Sequence, residues 1–240
     1  MSVVLDKNSR SGVLHMERLF DPAVMIEVLR HFEAVEPEYQ NRVLTEKDEK
    51  FLRIGASTDA FRFDPVWYDL WRKAPEGTVE RFRPYTWIVY PVQIRHIHAG
   101  SHLVPWHQDI GYQVLLGKRA HRQVITCFVP LEERPSDCAG LEFAVGDFDT
   151  LPHEPFGDHG AALPGFTCDQ SVRPQLSMGD ALVFGDHAPH QTVVPEGGRV
   201  ERRSFEFRLI DPADAIDGKD YFDLERRIFV RTDGTTRYHP

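Results

Sequence analysis

The residues best suited to chemistry are imidazoles and carboxylates in two separated clusters. In residues 104–112 (VPWHQDIGY), His107 and Asp109 stand two apart. Alternate residues of an extended chain share a face, so this pair aims an imidazole and a carboxylate at one point. Much later, residues 179–190 (GDALVFGDHAPH) bring His187 and His190. Either one would complete a set of two imidazoles and one carboxylate on one side of a metal ion. Such a set leaves coordination positions open, the arrangement of non-haem iron(II) that must bind a cosubstrate and O2 together. A His-x-Asp pair alone is common by chance. Its weight comes from the order: strand, His-x-Asp, apolar strand, Gly-Asp-apolar strand, histidine, then arginines on a strand.

Those arginines lie in residues 202–208 (RRSFEFR). A planar guanidinium matches a carboxylate two bonds at a time, so an arginine near such an iron suits the anchoring of a dicarboxylate. If Ser204 faces inward, Arg202, Ser204 and Glu206 share its face and Arg203 points away. Arg208 has the same parity and is a rival anchor. His96 and His98 form a same-face pair on the strand leading to the site, with His102 and His121 nearby. They are read as pocket walls or partly exposed strand residues in preference to a second metal site. Trp106 and Tyr112 flank the metal motif and are candidates to pack against substrate.

Elements that could carry these residues are visible along the chain. Asp21 and Pro22 form a helix start, followed by Val24, Met25, Val28, Leu29 and Phe32 at helical spacing. A second start at Asp64 and Pro65 carries Val66, Trp67, Leu70 and Trp71, whose aromatic residues are read as core. Residues 40–60 support no assignment. From Tyr85 onward β-formers dominate, with strands predicted over 85–90, 92–98, 124–129, 141–145, 181–184 and 204–210. Residues 146–177 hold four prolines among glycines and are read as a long loop or lid. The expectation is a mainly β single domain over 1–240 with flanking helices: 1–84 largely helical, 85–210 a β core, 211–240 an extension.

Composition sets the outer bounds. The 240 residues are 41% hydrophobic and 27% charged, ordinary for a soluble globular chain. A net charge of −9 argues against a nucleic-acid partner and suits a polar or cationic small molecule. The first residues lack the apolar stretch of a signal peptide, and no apolar run reaches membrane-spanning length. Three cysteines without paired spacing read as free thiols, so a cytoplasmic location is expected. Oligomeric state is not readable. The unusual feature is histidine, at 12 residues.

The order of His107-x-Asp109, the Gly179-Asp180-apolar strand, His190 and Arg202-x-Ser204 resembles the Fe(II)/2-oxoglutarate-dependent dioxygenases of the phytanoyl-CoA dioxygenase-like family. The likeness covers residues 85 to 210. It implies a double-stranded β-helix (jelly roll), Fe(II) held by His107, Asp109 and His190, and 2-oxoglutarate and O2 as cosubstrates. The family's spacing from distal histidine to the basic-x-Ser element selects His190 over His187. By the same match Arg202 would hold the far carboxylate of 2-oxoglutarate, with Ser204 beside it and Gln93 and Thr126 near the keto-acid end. The segment 138–147 departs from the family's pattern, and the doubled arginine leaves the anchor uncertain by one residue.

The implied reaction is oxidation of a C–H bond, by hydroxylation or oxidative ring closure, in a polar small molecule. A sugar or an aminocyclitol intermediate of antibiotic biosynthesis is the expected substrate class, met by His96, His98, His102, Trp106 and Tyr112. Two other readings stand beside it. A cupin-type metal enzyme would use His96 and His98, although no glutamate follows at cupin spacing. A jelly roll that only binds would make the His-x-Asp pair accidental. A zinc hydrolase lacks any HExxH-like pattern.

Overall fold

The computed structural model describes residues 11–40, 64–115, 117, 121–156, 160–232 and 236–237. Residues 41–63, most of the unassigned stretch, lie outside the described residues. Both N-terminal start signals operate as their chemistry requires. Asp21 accepts a hydrogen bond from the Ala23 amide (2.8 Å) at the start of helix α1 (Pro22–Gln40). Met25, Val28, Leu29 and Phe32 form its buried face. Asp64 accepts from the Val66 amide (2.9 Å) and opens a 3-10 turn (Pro65–Tyr68) that runs into α2 (Asp69–Arg72). Its other oxygen meets His31 Nε2 at 2.9 Å, tying this turn to α1.

The N-terminal part is not helical throughout. Strand β1 (Val13–Met16) precedes α1 and pairs antiparallel with β9 (Ala181–Gly185). Four residues are too few to announce a strand by alternation, and only the long-range partner fixes it.

The other strands in chain order are β2 (Trp87–Val89), β3 (Gln93–Ile97), β4 (Ile125–Pro130), β5 (Gly140–Ala144), β6 (Glu154–Phe156), β7 (Gly160–Ala162), β8 (Ser171–Val172), β10 (His190–Val193), β11 (Arg202–Ile210), β12 (Asp220–Asp223), β13 (Ile228–Arg231) and β14 (Thr236–Arg237). The large sheet runs β1-β9-β4-β11-β2-β12-β13-β14, with β3 also pairing β11, and the smaller sheet runs β10-β5-β8. These are the two walls of a jelly roll. The expected loop at 146–177 contains three short strands: β6 and β7 make a hairpin, and β8 is the edge of the smaller sheet. Its prolines and glycines punctuate strands of two or three residues, which composition reads as loop. The C-terminal segment does not stand apart either, because β12 continues the large sheet against β2.

Strand alternation sorts the side chains by face. On β11, Phe205, Phe207 and Leu209 join the core under α1 and α2, with Ile94, Cys127 and Val129 from neighbouring strands. Trp67 sits at the centre of that layer, fully buried, 5.5 Å from the Phe205 ring and 5.6 Å from Phe32. Trp67→Ala is expected to cost about 3–5 kcal/mol through lost burial and an unfilled cavity, read as a shift in the urea midpoint. The opposite face of the same strands looks into the jelly roll. There Phe128, Leu182 and Phe184 meet Leu141 and Phe143 of the smaller sheet. Ser204, Glu206 and Arg208 share this inward face.

The Gly-Asp element before β9 has a structural reason. Gly179 has φ +91°, and a Cβ there would stand 2.4 Å from the Phe20 carbonyl oxygen. Its own carbonyl accepts from the Phe20 amide (3.0 Å). Asp180 accepts from the backbone amides of Arg18 (2.9 Å) and Ser177 (2.8 Å). This turn fixes where β9 starts, and hence where the chain delivers its late histidines.

Candidate metal centre

His107 lies just before α3 (Ile110–Leu115). Its backbone pairs with that of His190 at the start of β10, each amide donating to the other's carbonyl at 2.9 Å. The paired backbones bring the two imidazoles together, with ring centroids 4.1 Å apart. Asp109 completes the group: one ligand atom each from His107, Asp109 and His190 lies within 4.8 Å of the others.

The rings are oriented as ligands should be. His107 Nδ1 lies 2.8 Å from the Pro105 carbonyl oxygen, and His190 Nδ1 lies 2.9 Å from that of Ala188. A carbonyl only accepts, so Nδ1 carries the proton and Nε2 keeps its lone pair. Burial, then the neighbouring His190, pushes the His107 pKa down to about 3. Burial likewise lowers that of His190. Both imidazoles are therefore neutral at pH 7, as a metal requires. Phe143 stacks on His190 (5.6 Å, 26°) and Phe184 meets it edge-on (4.8 Å).

Asp109 is held by Thr126, whose hydroxyl donates to Oδ2 (2.7 Å), and by Arg208. Arg208 approaches side-on, Nη1 to Oδ2 at 2.5 Å and Nη2 to Oδ1 at 3.2 Å. Burial raises the Asp109 pKa, but Arg208, with the Thr126 hydrogen bond, outweighs it and holds the carboxyl well below the usual range. Glu206 accepts from Arg95 (2.6 Å) and from Arg208 (3.2 Å). Burial opposes its ionisation, and Arg95 followed by Arg208 keeps it ionised.

Arg202 is 1% exposed and faces inward, its guanidinium 4.9 Å from the centroid of the Phe128 ring. One bond is made, from Nη1 to the Ala139 carbonyl (3.3 Å). Its Nε and Nη2, and the hydroxyl of Ser204 two residues on, are buried without a hydrogen-bond partner. Buried polar groups are nearly always paired, so three such atoms on one face are an exception within this fold. Arg203 points outward, as the alternation requires, to Glu132.

A cavity of about 430 Å³ adjoins the cluster, lined by Gln93, Asp109, Tyr112, Arg208 and Tyr221 among others. Gln93 Oε1 accepts from Arg208 (3.2 Å). Tyr112 is thus at the cavity as its sequence position suggests. Of the four histidines read as pocket walls or exposed strand residues, His96, His98 and His102 are not at the cavity. His96 and His98 do share a face, with rings 6.2 Å apart, but it is the outer one. On β3, Gln93 and Arg95 take the inward positions, which turns His96 toward α1, where it meets Glu36 at 2.6 Å and Glu201 at 3.2 Å. His98 and His102 are exposed. Trp106 packs on Phe166 (5.5 Å), away from the cavity lining. His187 is buried but engaged, Nδ1 with Asp186 (2.7 Å) and Nε2 with Thr150 (3.0 Å). His121 does line the cavity.

The His96 contacts make a pH test. Burial lowers its pKa, and the hydrogen bonds to Glu36 and Glu201 more than offset that, so the net direction is upward. A raised pKa stabilises the fold fully below the unfolded value of about 6.5, and the contribution fades as pH rises through the folded value. Wild type should exceed His96→Gln by on the order of 1 kcal/mol near pH 5.5, with the gap closing toward pH 8.5, in unfolding midpoints.

One structural residue had no sequence signal beyond position. Gln108, between the two ligands, has opposite parity and is fully buried. Its amide donates to the carbonyls of Asp149 (2.9 Å) and His187 (2.6 Å) and accepts from the Leu151 amide (2.9 Å). It thereby fastens the loop after β5 to the β9–β10 connection behind the cluster.

The jelly roll around this cluster is the fold of solved non-haem enzymes. EvdO2 from Micromonospora carbonacea var. aurantiaca superposes with a TM-score of 0.61 at 17% identity, over 90% of this chain and 96% of its own. The non-haem monooxygenase ThoJ in its apo form gives 0.56 at 17%, over 89% and 81%. SnoK, a non-haem alpha-ketoglutarate-dependent carbocyclase from nogalamycin biosynthesis, gives 0.54 at 13%, over 91% and 86%. At these identities the likeness is one of fold. No protein-family profile and no curated protein matches the chain. No helix among the described residues is long and apolar enough to cross a membrane.

Proposed function

We propose that this chain is an Fe(II)- and 2-oxoglutarate-dependent dioxygenase that oxidises a C–H bond of a polar small molecule. The observation that carries this reading is the pairing of the His107, Asp109, His190 cluster with the unpartnered donors of Arg202 and Ser204 on the inner face of the same jelly roll. Those open donors on the inner face match the distal carboxylate of a chelating keto acid. The donor set fits the metal: two neutral imidazoles and one carboxylate suit iron(II) and leave room for a chelating keto acid and O2. Bound there, iron and the keto acid supply the power to cleave an unactivated C–H bond.

The chain's own residues do the rest. His107 and His190 present Nε2, their rings fixed by the Pro105 and Ala188 carbonyls. Thr126 and Arg208 orient Asp109. Arg202 and Ser204 take the distal carboxylate, and Gln93 lies at the cavity where the substrate would meet the centre. Phe128, Phe143 and Phe184 exclude water from the inner face. Tyr112 contacts substrate in the 430 Å³ cavity, a volume suited to a monosaccharide or aminocyclitol-sized group. Antibiotic biosynthesis is the context proposed, in keeping with SnoK.

The test is anaerobic addition of Fe(II) and 2-oxoglutarate, which should raise a weak visible charge-transfer band. On admitting air, succinate should form only when 2-oxoglutarate is present. A protein showing neither, with its ligands intact, sinks the reading.

A further inference from the structure

Asp109 and Glu206 each have a guanidinium partner: Arg208 forks Asp109, and Arg95 meets Glu206 at 2.6 Å. Asp186, on the β9–β10 connection, differs. It lines the cavity of about 430 Å³ and is 1% exposed, and among the described residues its one ion-pair neighbour is His187. His187 Nδ1 donates to Oδ1 at 2.7 Å, and the ring is held from its other side by Thr150, 3.0 Å from Nε2. Oδ2 of Asp186 is buried with no hydrogen-bond partner.

We propose that Asp186 is a substrate-recognition residue: its open oxygen accepts a hydrogen bond from a hydroxyl group on a neutral ring bound in the cavity. This rests on the proposed oxygenase function and deepens it by naming how the substrate is held.

The open acceptor is the first support. A carboxylate oxygen accepts and never donates, so only a donor satisfies it. Buried polar groups are nearly always paired, and an exception bordering a cavity is accounted for by a ligand's donor. His187 fixes the carboxylate so that Oδ2 is available with every contact of the structure in place.

Position is the second. The Asp186 carbonyl accepts from the amide of Ile110 at 2.9 Å, the residue that follows Asp109. Asp109 lines the same cavity. A ring whose hydroxyl meets Asp186 is therefore held beside the metal cluster, as oxidation of its C–H bonds requires.

Charge selects a neutral donor. The guanidinium groups of Arg95, Arg202 and Arg208 are matched by the carboxylates of Asp109, Glu206 and Asp186, and a divalent metal with a dianionic keto acid adds no net charge. A charged substrate would unbalance a site shielded from water. Lys219, an exposed cation of the lining, disfavours an ammonium further. The rest of the lining suits a ring. Tyr90, Tyr112 and Tyr221, with Val89, Val124 and Ile216, supply surface against which ring C–H groups pack.

The experiment uses the whole chain loaded with Zn(II) and saturated with N-oxalylglycine, a redox-inert keto-acid analogue. Three probes of similar shape are compared by ligand-observed NMR titration: cyclohexanol, methoxycyclohexane, which accepts but cannot donate, and cyclohexylamine, charged at pH 7. Wild type should bind cyclohexanol at least about 10-fold more tightly than either of the others, the scale of a hydrogen bond to a charged acceptor. In Asp186→Asn the amide oxygen takes the His187 bond and the NH2 takes the open side, so an acceptor becomes a donor. The preference for cyclohexanol over methoxycyclohexane should vanish in this variant. A purely structural Asp186 would shift both probes alike and leave their ratio intact. Zn(II) affinity of Asp186→Asn within a few-fold of wild type shows that the variant is folded, and the wild-type comparison decides the matter by itself if it is not. Equal binding of cyclohexanol and methoxycyclohexane by wild type, a preference unaltered in folded Asp186→Asn, or tightest binding of cyclohexylamine overturns the proposal and leaves the metal function standing. No Zn(II) uptake by wild type beyond that of His107→Ala overturns both.

Discussion

His107→Ala and Asp109→Ala should each lose metal affinity by more than about 100-fold and leave no succinate formation above background. Loss of a group that merely orients a ligand costs about 10–100-fold in such sites, so deleting a ligand costs more. Equilibrium titration with Co(II) and iron content after desalting measure the effect. His187→Ala is the matched comparison. It deletes a buried imidazole three residues from His190, but one whose two nitrogens already face Asp186 and Thr150. It should keep metal affinity within a few-fold while losing some stability. If His187→Ala lost metal and His190→Ala kept it, the assignment of the late histidine would be reversed.

That comparison marks where the sequence stops being informative. His107 and Asp109 were legible because two-residue spacing puts both on one face whatever the register. Choosing His190 over His187 needed the family's spacing, since both follow the same apolar strand. The physical reason emerges only in three dimensions: the backbone of His190 pairs with that of His107, whereas His187 lies before the strand resumes. The same limit explains His96 and His98. Period-two reasoning established that they share a face, but not which face the helices cover. Arg95, a charged residue in the middle of a strand, was the signal that could have settled it. Its buried ion pair with Glu206 requires an inward position, which sends its neighbours outward. Gln108 was invisible for a related reason. A glutamine between two ligands reads as a spacer until the backbone groups it bonds, from residues 149, 151 and 187, are brought beside it.

Arg202→Met should separate what this arginine does for the fold from what it does for the cosubstrate. In the cofactor-free protein, burial pushes its pKa down to about 10, and two of its donors have no partner. An unpaired buried polar group costs about 1–3 kcal/mol, so replacing it with an apolar side chain of similar length over the Phe128 ring should leave stability unchanged or raise it by that order. Cosubstrate binding should move the other way. Removing one partner of a desolvated charge pair costs about 2–5 kcal/mol, or roughly 30- to 5,000-fold in the 2-oxoglutarate dissociation constant. Arg202→Lys should recover little of it, because a lysine offers a point charge where the carboxylate needs a planar fork. Unfolding midpoints and anaerobic 2-oxoglutarate titration, run on the same samples, read the two effects separately. A destabilised Arg202→Met with unchanged keto-acid affinity would make Arg202 a structural residue and return Arg208 as the anchor. The opposite outcome has a simple physical basis: a site built to desolvate and hold a dianion keeps its counter-charge unsatisfied until that dianion arrives, and the fold carries the cost.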